Sequence, residues 1–163
     1  MNTGNFKYLQ NAILYNFSDH AYSKRVGVRE LKRPLFSAGD GKKLLFYYND
    51  IERRSLSDDR AVERLNGNLN ALSAELKKKK IKLVFMPVVD KSNLYADYIA
   101  GDPYPESVFF EKMRRVRKDY IFIDTKEILS KALEEGEKDT FHVDDTHWSW
   151  KAPKRIFETV LFK

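Results

Sequence analysis

The chain has 163 residues, 42% of them apolar and 33% charged, with a net charge of +6, which is ordinary for one soluble globular domain. Aromatic residues make up 13% of the sequence, which excludes an intrinsically disordered chain, and the lack of cysteine excludes disulfides, thiolate metal sites and cysteine nucleophiles. No apolar run reaches the roughly 18 residues that a membrane span needs, and the N-terminus does not have the pattern of a signal peptide.

The first part of the chain predicts one helix and one strand. Apolar residues at approximately helical spacing predict an amphipathic helix over 5–22. Residues 24–28 form a predicted basic turn, and 38–43 have the composition of a second turn. The apolar and aromatic run that follows, Leu44 to Tyr48, predicts a strand.

The middle of the chain contains the clearest helix. Apolar residues step by three and four over 58–80, with Ser57 or Asp58 available as the N-cap. A nearly continuous apolar segment, 81–89, follows directly, and this pattern is typical of a strand buried on both faces. A helix that leads into such a strand predicts an α/β layer fold with a parallel sheet.

Beyond residue 89 the pattern continues to alternate between helices and strands. The predicted elements are a short helix over 93–99, a surface loop over 101–105, a helix over 108–118, a strand over 120–124, a helix over 126–135 capped by Thr125 and stopped by Gly136, a brief strand or loop over 141–143, and a final helix over 153–162.

The positive charge does not predict a nucleic-acid-binding surface. Its densest runs, 77–80 and 114–118, lie at the ends of predicted helices, where cations stabilise the helix dipole. Neither run is interleaved with aromatic residues that would stack on bases. We therefore expect no nucleic acid partner.

Candidate site residues follow the predicted strands, because ligands of open α/β sheets bind beyond the carboxyl ends of the strands. Lys91 and Tyr95 are four residues apart on an opening helical turn, so their side chains can point together into a cleft, or form only a surface pair over a loop. Asp124 and Thr125 follow the next strand, and their pattern favours a helix cap over a ligand site.

The most specific chemical pattern is the pair Asp145 and His147. An aspartate two residues before a histidine can accept a hydrogen bond from the imidazole Nδ1–H and leave Nε2 free to take a proton from a serine. The pair therefore predicts two members of a Ser-His-Asp site.

The residues around this pair resemble the Asp-x-His-Trp motif of a known family. The family is the SGNH-hydrolase-like domain of the alginate O-acetyltransferase group of bacterial exopolysaccharide-modifying proteins. The resemblance covers roughly 40–160 and is strongest at 144–149 and 81–95. The segments that carry it are Asp145-Thr146-His147-Trp148-Ser149 with Pro153 opening a helix, the strand-like Gly41–Phe46, the helix, strand and Pro-x-x-Asp-Lys segment of 69–95, and Tyr95-Ala96-Asp97-Tyr98.

The resemblance implies a fold and a chemistry. The implied fold is an α/β three-layer sandwich with a mostly parallel sheet, here incomplete at the C-terminus, with 1–39 as an N-terminal helix and lead-in segment and 40–163 as a partial domain. Asp145 would orient the imidazole, and His147 would act as general base and then general acid around a covalent acyl-serine intermediate. Lys91, Tyr95 and Trp148 are the implied substrate-binding residues, and no metal or organic cofactor is implied.

The sequence departs from the family pattern in one important respect. The family's nucleophile stands in a Gly-Asp-Ser motif after the Asp-x-His segment, whereas this sequence has no such motif and ends sixteen residues after His147. Ser149 occupies a motif position outside the triad, and Ala152 stands where the family more often has glycine. We expect a truncated or split product that is inactive alone and prone to aggregate through an exposed sheet edge.

The implied partners are a polysaccharide, an acyl donor and a membrane-associated protein of acyl transfer, and the implied location is periplasmic or extracellular. The sequence as written shows no export signal and on its own predicts a cytoplasmic protein; it does not predict an oligomeric state. Two alternatives stay open: a non-catalytic carbohydrate-binding module that stacks sugar rings on Trp148, Trp150 and Tyr95, and a non-functional fragment or interaction protein.

Overall fold

A computed structural model describes residues 26–52, 57–101, 104 and 107–161. The helix predicted over 5–22 lies outside these residues. In chain order the elements are β1 (Val26–Glu30), β2 (Lys43–Tyr47), α1 (Asn49–Glu52), α2 (Asp59–Lys78), β3 (Val84–Phe85), α3 (Lys91–Leu94), one 3-10 turn (Ala96–Tyr98), α4 (Phe109–Arg115), β4 (Ile121–Phe122), α5 (Thr125–Glu134) and α6 (Lys151–Leu161).

Strand β1 lies where the sequence pattern predicted a basic turn, so that prediction was wrong. The strand pairs antiparallel with β2, with Val28 opposite Leu45. Gly27 faces the buried ring of Phe46, and a Cβ at Gly27 would lie 2.3 Å from that ring. Because the close approach requires a glycine, the strand has a weak β pattern in the sequence.

Strands β3 and β4 form a parallel pair, in which Val84 lies opposite Ile121 and Phe85 opposite Phe122. The predicted strand over 81–89 is therefore much shorter than its apolar run, and it is not buried on both faces. The exposed apolar side chains of this region are Ile81, Val84, Met86, Val88 and Ile121.

The described residues thus form a mixed α/β structure with two sheets of two strands each, one antiparallel and one parallel. The sequence predicted the mixed class and the parallel pairing of the strands around 81–89 and 120–124. A mostly parallel sheet is not what these residues form, and the three-layer sandwich stays a prediction.

Helix α2 confirms the longest helix that the periodicity predicted. Asp58 caps it, since its carboxylate accepts the Ala61 N–H at 2.7 Å. Two side chains of the helix bond to the segment before β4. Ser73 Oγ donates to the Asp119 carbonyl at 2.7 Å, and Asn66 Nδ2 donates to the Arg117 carbonyl at 3.0 Å. These bonds fix the helix beside the parallel strand pair.

Helix α5 is capped by Asp124, which confirms the cap predicted at Asp124 and Thr125 and corrects the choice of Thr125 as the capping residue. The Asp124 carboxylate accepts the Glu127 N–H at 2.9 Å. Thr125 is the first helical residue and is fully buried. Its hydroxyl donates to the carbonyl of Pro87, in the segment that follows β3. Gly136 follows the helix with φ +93, the left-handed conformation that favours glycine at a helix end.

The described residues contain one main core and a smaller buried cluster of Val62, Met113 and Tyr120. The main core lies between the antiparallel strand pair and the helices α3, α5 and α6. It includes residues before and after the predicted boundary at 39/40, because β1 and β2 pair across it. The buried residues of this core are Leu31, Leu35, Phe36, Leu44, Phe46, Val89, Leu94, Tyr95, Ile99, Phe110, Leu129, Leu133, Phe141, Ala152 and Ile156.

None of the helices in the described part of the chain is long and apolar enough to cross a membrane.

Candidate active site

The Asp-x-His pair lies on a loop that is closed at its base. Phe141 forms an isolated antiparallel bridge with Trp148, and the His142 N–H donates to the His147 carbonyl at 3.2 Å. Phe141 is buried in the main core and anchors the near end of the loop. The loop therefore projects residues 142–147 from the core as one hairpin-like unit.

Asp145 and His147 make the contact that their spacing predicted. His147 Nδ1 lies 2.6 Å from Asp145 Oδ1, and the same oxygen accepts the backbone N–H groups of Thr146 and His147. The hydrogen bond with His147 is the main cause that lowers the pKa of Asp145 below its ordinary value. The carboxylate is therefore ionised at neutral pH and holds Nδ1, which leaves Nε2 to exchange protons with another group.

The imidazole stands at the edge of a cavity. The His147 side chain is 81% exposed, and it lines a cavity of about 470 Å³ with Trp148, Tyr47 and Val88. Tyr47 is the last residue of β2, and Val88 follows β3. The cavity beside the pair is thus lined by residues at the end of β2 and after β3.

A second, smaller cavity of about 220 Å³ shares Asp50, Val88 and Asp90 with the first. Together the two form one cleft beside His147. Sequence reasoning missed Tyr47 and Asp50 as cleft residues. The position of Tyr47 at a strand end was an available signal, whereas nothing in the sequence marked Asp50.

Lys91 lies beneath the loop rather than on the cleft wall. Its side chain is almost fully buried, and its Nζ donates to the carbonyls of His142 at 2.6 Å, Val143 at 3.1 Å and Asp145 at 3.0 Å. Burial lowers the pKa of Lys91 to about 8, while the carboxylates of Asp144 and Asp145 raise it. Its predicted contact with substrate stays a prediction, and its contacts in this structure are with the protein backbone.

Tyr95 lies inside the main core. Its ring packs at 5.3 Å from that of Phe36 and at 6.0 Å from that of Phe141, and burial raises the pKa of its phenol. The expected orientation toward a cleft is not found in this structure, because the side chain is fully buried. No ring face of Tyr95 is available here for stacking on a sugar.

Trp148 contributes to both the core and the cleft. It is half-buried, its ring meets that of Phe141 edge to face at 6.4 Å, and its Nε1 donates to the Val89 carbonyl at 3.3 Å. The bond to Val89 joins the loop to the segment after β3. Of the three predicted substrate-binding residues, Trp148 is the one that lines the cavity.

The serine that stands nearest to His147 in the sequence has a structural role. Ser149 is buried, and its hydroxyl donates to the Asp139 carbonyl and accepts the Lys151 N–H at 3.1 Å. These bonds hold the turn into α6. Among the hydrogen bonds found for the described residues, none joins a serine hydroxyl to His147.

The described residues contain no group of three or more histidine, aspartate or glutamate side chains placed to hold a metal ion. The acidic residues Asp50 and Asp90 lie on the cleft wall.

These features define a mixed α/β protein in which an aspartate holds a histidine at the edge of a cleft. Residues 40–158 match the family described as SGNH hydrolase-like domain, acetyltransferase AlgX, and the chain belongs to this family. The resemblance stated from the Asp-x-His-Trp motif is thus confirmed. No curated protein and no solved structure matches the chain.

Proposed function

We propose that this protein takes part in acyl transfer, moving an acetyl group to or from a hydroxyl of a polysaccharide. The observation that carries the proposal is the 2.6 Å contact between His147 Nδ1 and Asp145 Oδ1 at the edge of a cleft. Membership of the SGNH hydrolase-like family supports the same chemistry. A polysaccharide acceptor, a membrane-associated partner and a periplasmic or extracellular location are parts of this proposal.

In the first half of the reaction, His147 Nε2 takes the proton of a serine hydroxyl. The serine oxygen forms a bond to the carbonyl carbon of the acyl donor, the bond to the leaving group breaks, and the proton passes from His147 to that group. Asp145 accepts the Nδ1–H bond throughout and stabilises the imidazolium. The product is an acyl-serine.

In the second half, His147 takes the proton of the acceptor hydroxyl. The acceptor oxygen attacks the acyl carbon, the serine oxygen leaves, and it recovers a proton from His147. We propose that the serine comes from a segment outside the residues described here or from another chain.

A carbohydrate-binding role without catalysis is the second candidate. The observation in its favour is Trp150, whose side chain is 67% exposed close to the half-buried Trp148. Tyr95 does not support it, because its ring is buried. Replacing His147 separates the two candidates, since a binding module would keep its glycan affinity and a catalyst would lose its turnover.

The test is active-site labelling of the gene product isolated from its source cells, so that any segment or partner that supplies the serine is present. A fluorophosphonate probe reacts with serines that a neighbouring base activates. We expect labelling of one serine in the wild type and its loss in His147→Ala. His142→Ala is the matched control, because His142 is exposed on the same loop.

Retained labelling in His142→Ala together with loss in His147→Ala supports acyl transfer. Equal labelling of the wild type and His147→Ala, or no labelling of the wild type, would reject the catalytic role of His147. Unchanged retention on an acetylated glycan column in His147→Ala, in the absence of any labelling, would favour the binding module.

A further inference from the structure

Lys91 makes an unusual set of contacts beneath the Asp145 loop. Its three hydrogen bonds go to the carbonyls of His142, Val143 and Asp145, which follow one another closely along the loop. We propose that Lys91 is a positioning residue, which holds the backbone of 142–145 in the curve that turns the Asp145 carboxylate toward His147. This inference rests on the proposed role of the Asp145 and His147 pair.

The chemistry of lysine suits this task. An ammonium group offers three donors from one atom, so it can serve three carbonyls that converge from a curved backbone. A methionine side chain of similar length has no donor, and the guanidinium of arginine is a planar fork that does not converge on one point. The Phe36 ring, 5.0 Å from Nζ, covers the site on another side.

Asp145 is held by hydrogen bonds at its carbonyl and at its carboxylate. Its carbonyl accepts from Lys91 at 3.0 Å. Its Oδ1 contacts His147 Nδ1 at 2.6 Å and accepts the backbone N–H groups of Thr146 and His147. The Asp145 side chain itself is 51% exposed, so packing does not fix its direction. The bond from Lys91 to the Asp145 carbonyl is the contact that ties this residue to the protein interior.

The charged groups that act on Lys91 are Asp144 and Asp145, both on the loop that it holds. At neutral pH the side chain is an ammonium, because burial lowers its pKa only to about 8. Above that pH it keeps two donors for three carbonyls.

The test is nuclear magnetic resonance of the His147 ring nitrogens, whose ¹⁵N shifts report which nitrogen carries the proton. We expect the wild type to keep the proton on Nδ1, because Asp145 accepts it. In Lys91→Met at neutral pH we expect loss of this preference and a return to the shifts of a free imidazole. Lys32→Met is the matched control, because Lys32 also donates to a backbone carbonyl, that of Asp97 at 2.9 Å, but on the surface.

The outcomes separate this inference from the proposed function. A wild type without the proton on Nδ1 would contradict the role of the pair itself. A folded Lys91→Met with the wild-type shifts would overturn only the positioning role. If Lys91→Met does not fold, Lys91→Arg decides, because it keeps the positive charge but not three donors on one atom: loss of the proton preference for Nδ1 supports the inference, and the wild-type shifts overturn it.

Discussion

The hydroxyl of Thr125 donates to the carbonyl of Pro87 at 2.6 Å. The same oxygen accepts the N–H of Val89 at 3.2 Å. One side chain at the start of α5 therefore bonds to both the Pro87 carbonyl and the Val89 N–H in the segment after β3. Pro87 itself has no N–H to donate to a sheet. The side chain of Thr125 thus takes the place of a strand partner just before the segment that carries Lys91 and lines the cleft.

Replacing Thr125 by valine should destabilise the fold, because a buried N–H and a partly buried carbonyl would lose their partner. We expect the free energy of unfolding to fall by about 1–3 kcal/mol, measured by urea denaturation. Thr159→Val is the control, since the Thr159 hydroxyl donates only to the Arg155 carbonyl within α6. Equal losses in the two variants would contradict the bridging role of Thr125.

Replacing Asp124 by alanine should remove the cap of α5 and the ion pair with Arg114, whose Nε lies 2.6 Å from Asp124 Oδ2. We expect a loss of about 1–2 kcal/mol in the free energy of unfolding. Asp124→Asn keeps a capping oxygen and should lose clearly less. If the asparagine variant is as unstable as the alanine variant, the ion pair and not the cap is the main contribution.

Lys91 should give the stability of the protein a distinctive dependence on pH. Its pKa in the folded protein is about 8, below the ordinary 10.5, so the unfolded chain binds the proton more tightly. The free energy of unfolding should therefore be lowest below pH 8 and rise by up to about 3 kcal/mol between pH 8 and 10.5.

Urea denaturation across that range, with Lys91→Met as the reference, measures this contribution. The difference between the wild type and the variant should grow in favour of the wild type as pH rises. A difference that stays constant from pH 7 to pH 10.5 would show that the pKa of Lys91 is not lowered by folding.

The exposed face of the parallel strand pair should promote self-association of the isolated chain. Val84 and Ile121 lie opposite each other in register and are 49% and 46% exposed. A lysine at Val84 should reduce association, measured by light scattering, with little change in stability, because the side chain already faces solvent. Ala74→Lys, on the exposed face of α2, adds the same charge elsewhere and should leave association unchanged.

The sequence predicted the features that depend on local pattern. Helix α2 and its Asp58 cap follow from apolar spacing and capping chemistry, and the contact of Asp145 with His147 follows from their separation of two residues. The sequence did not predict strand β1. Its residue Gly27 packs against the Phe46 ring, where only glycine fits, and a glycine weakens the β-strand pattern of the sequence.

Features that depend on distant contacts were not predictable in this way. The apolar run 81–89 predicted a long buried strand, but only two of its residues pair in a ladder, because Pro87 lacks a donor and Thr125 satisfies its carbonyl. The pattern around Lys91 pointed to a cleft residue. Its actual partners lie more than fifty residues further along the chain, and no local pattern identifies them.

The most direct test of the acyl-transfer account is the rate of acetyl release from an acetylated oligosaccharide by the native gene product, compared with Asp145→Asn and Asp144→Asn. Asparagine at 145 cannot hold the imidazole as the carboxylate does, so the account predicts a rate lower by a factor on the order of 10³–10⁴. Asp144 makes no contact with His147 among the described hydrogen bonds, and its variant should stay within a factor of a few of the wild type. Equal rates for the wild type and Asp145→Asn, or equal losses in both variants, would contradict the account.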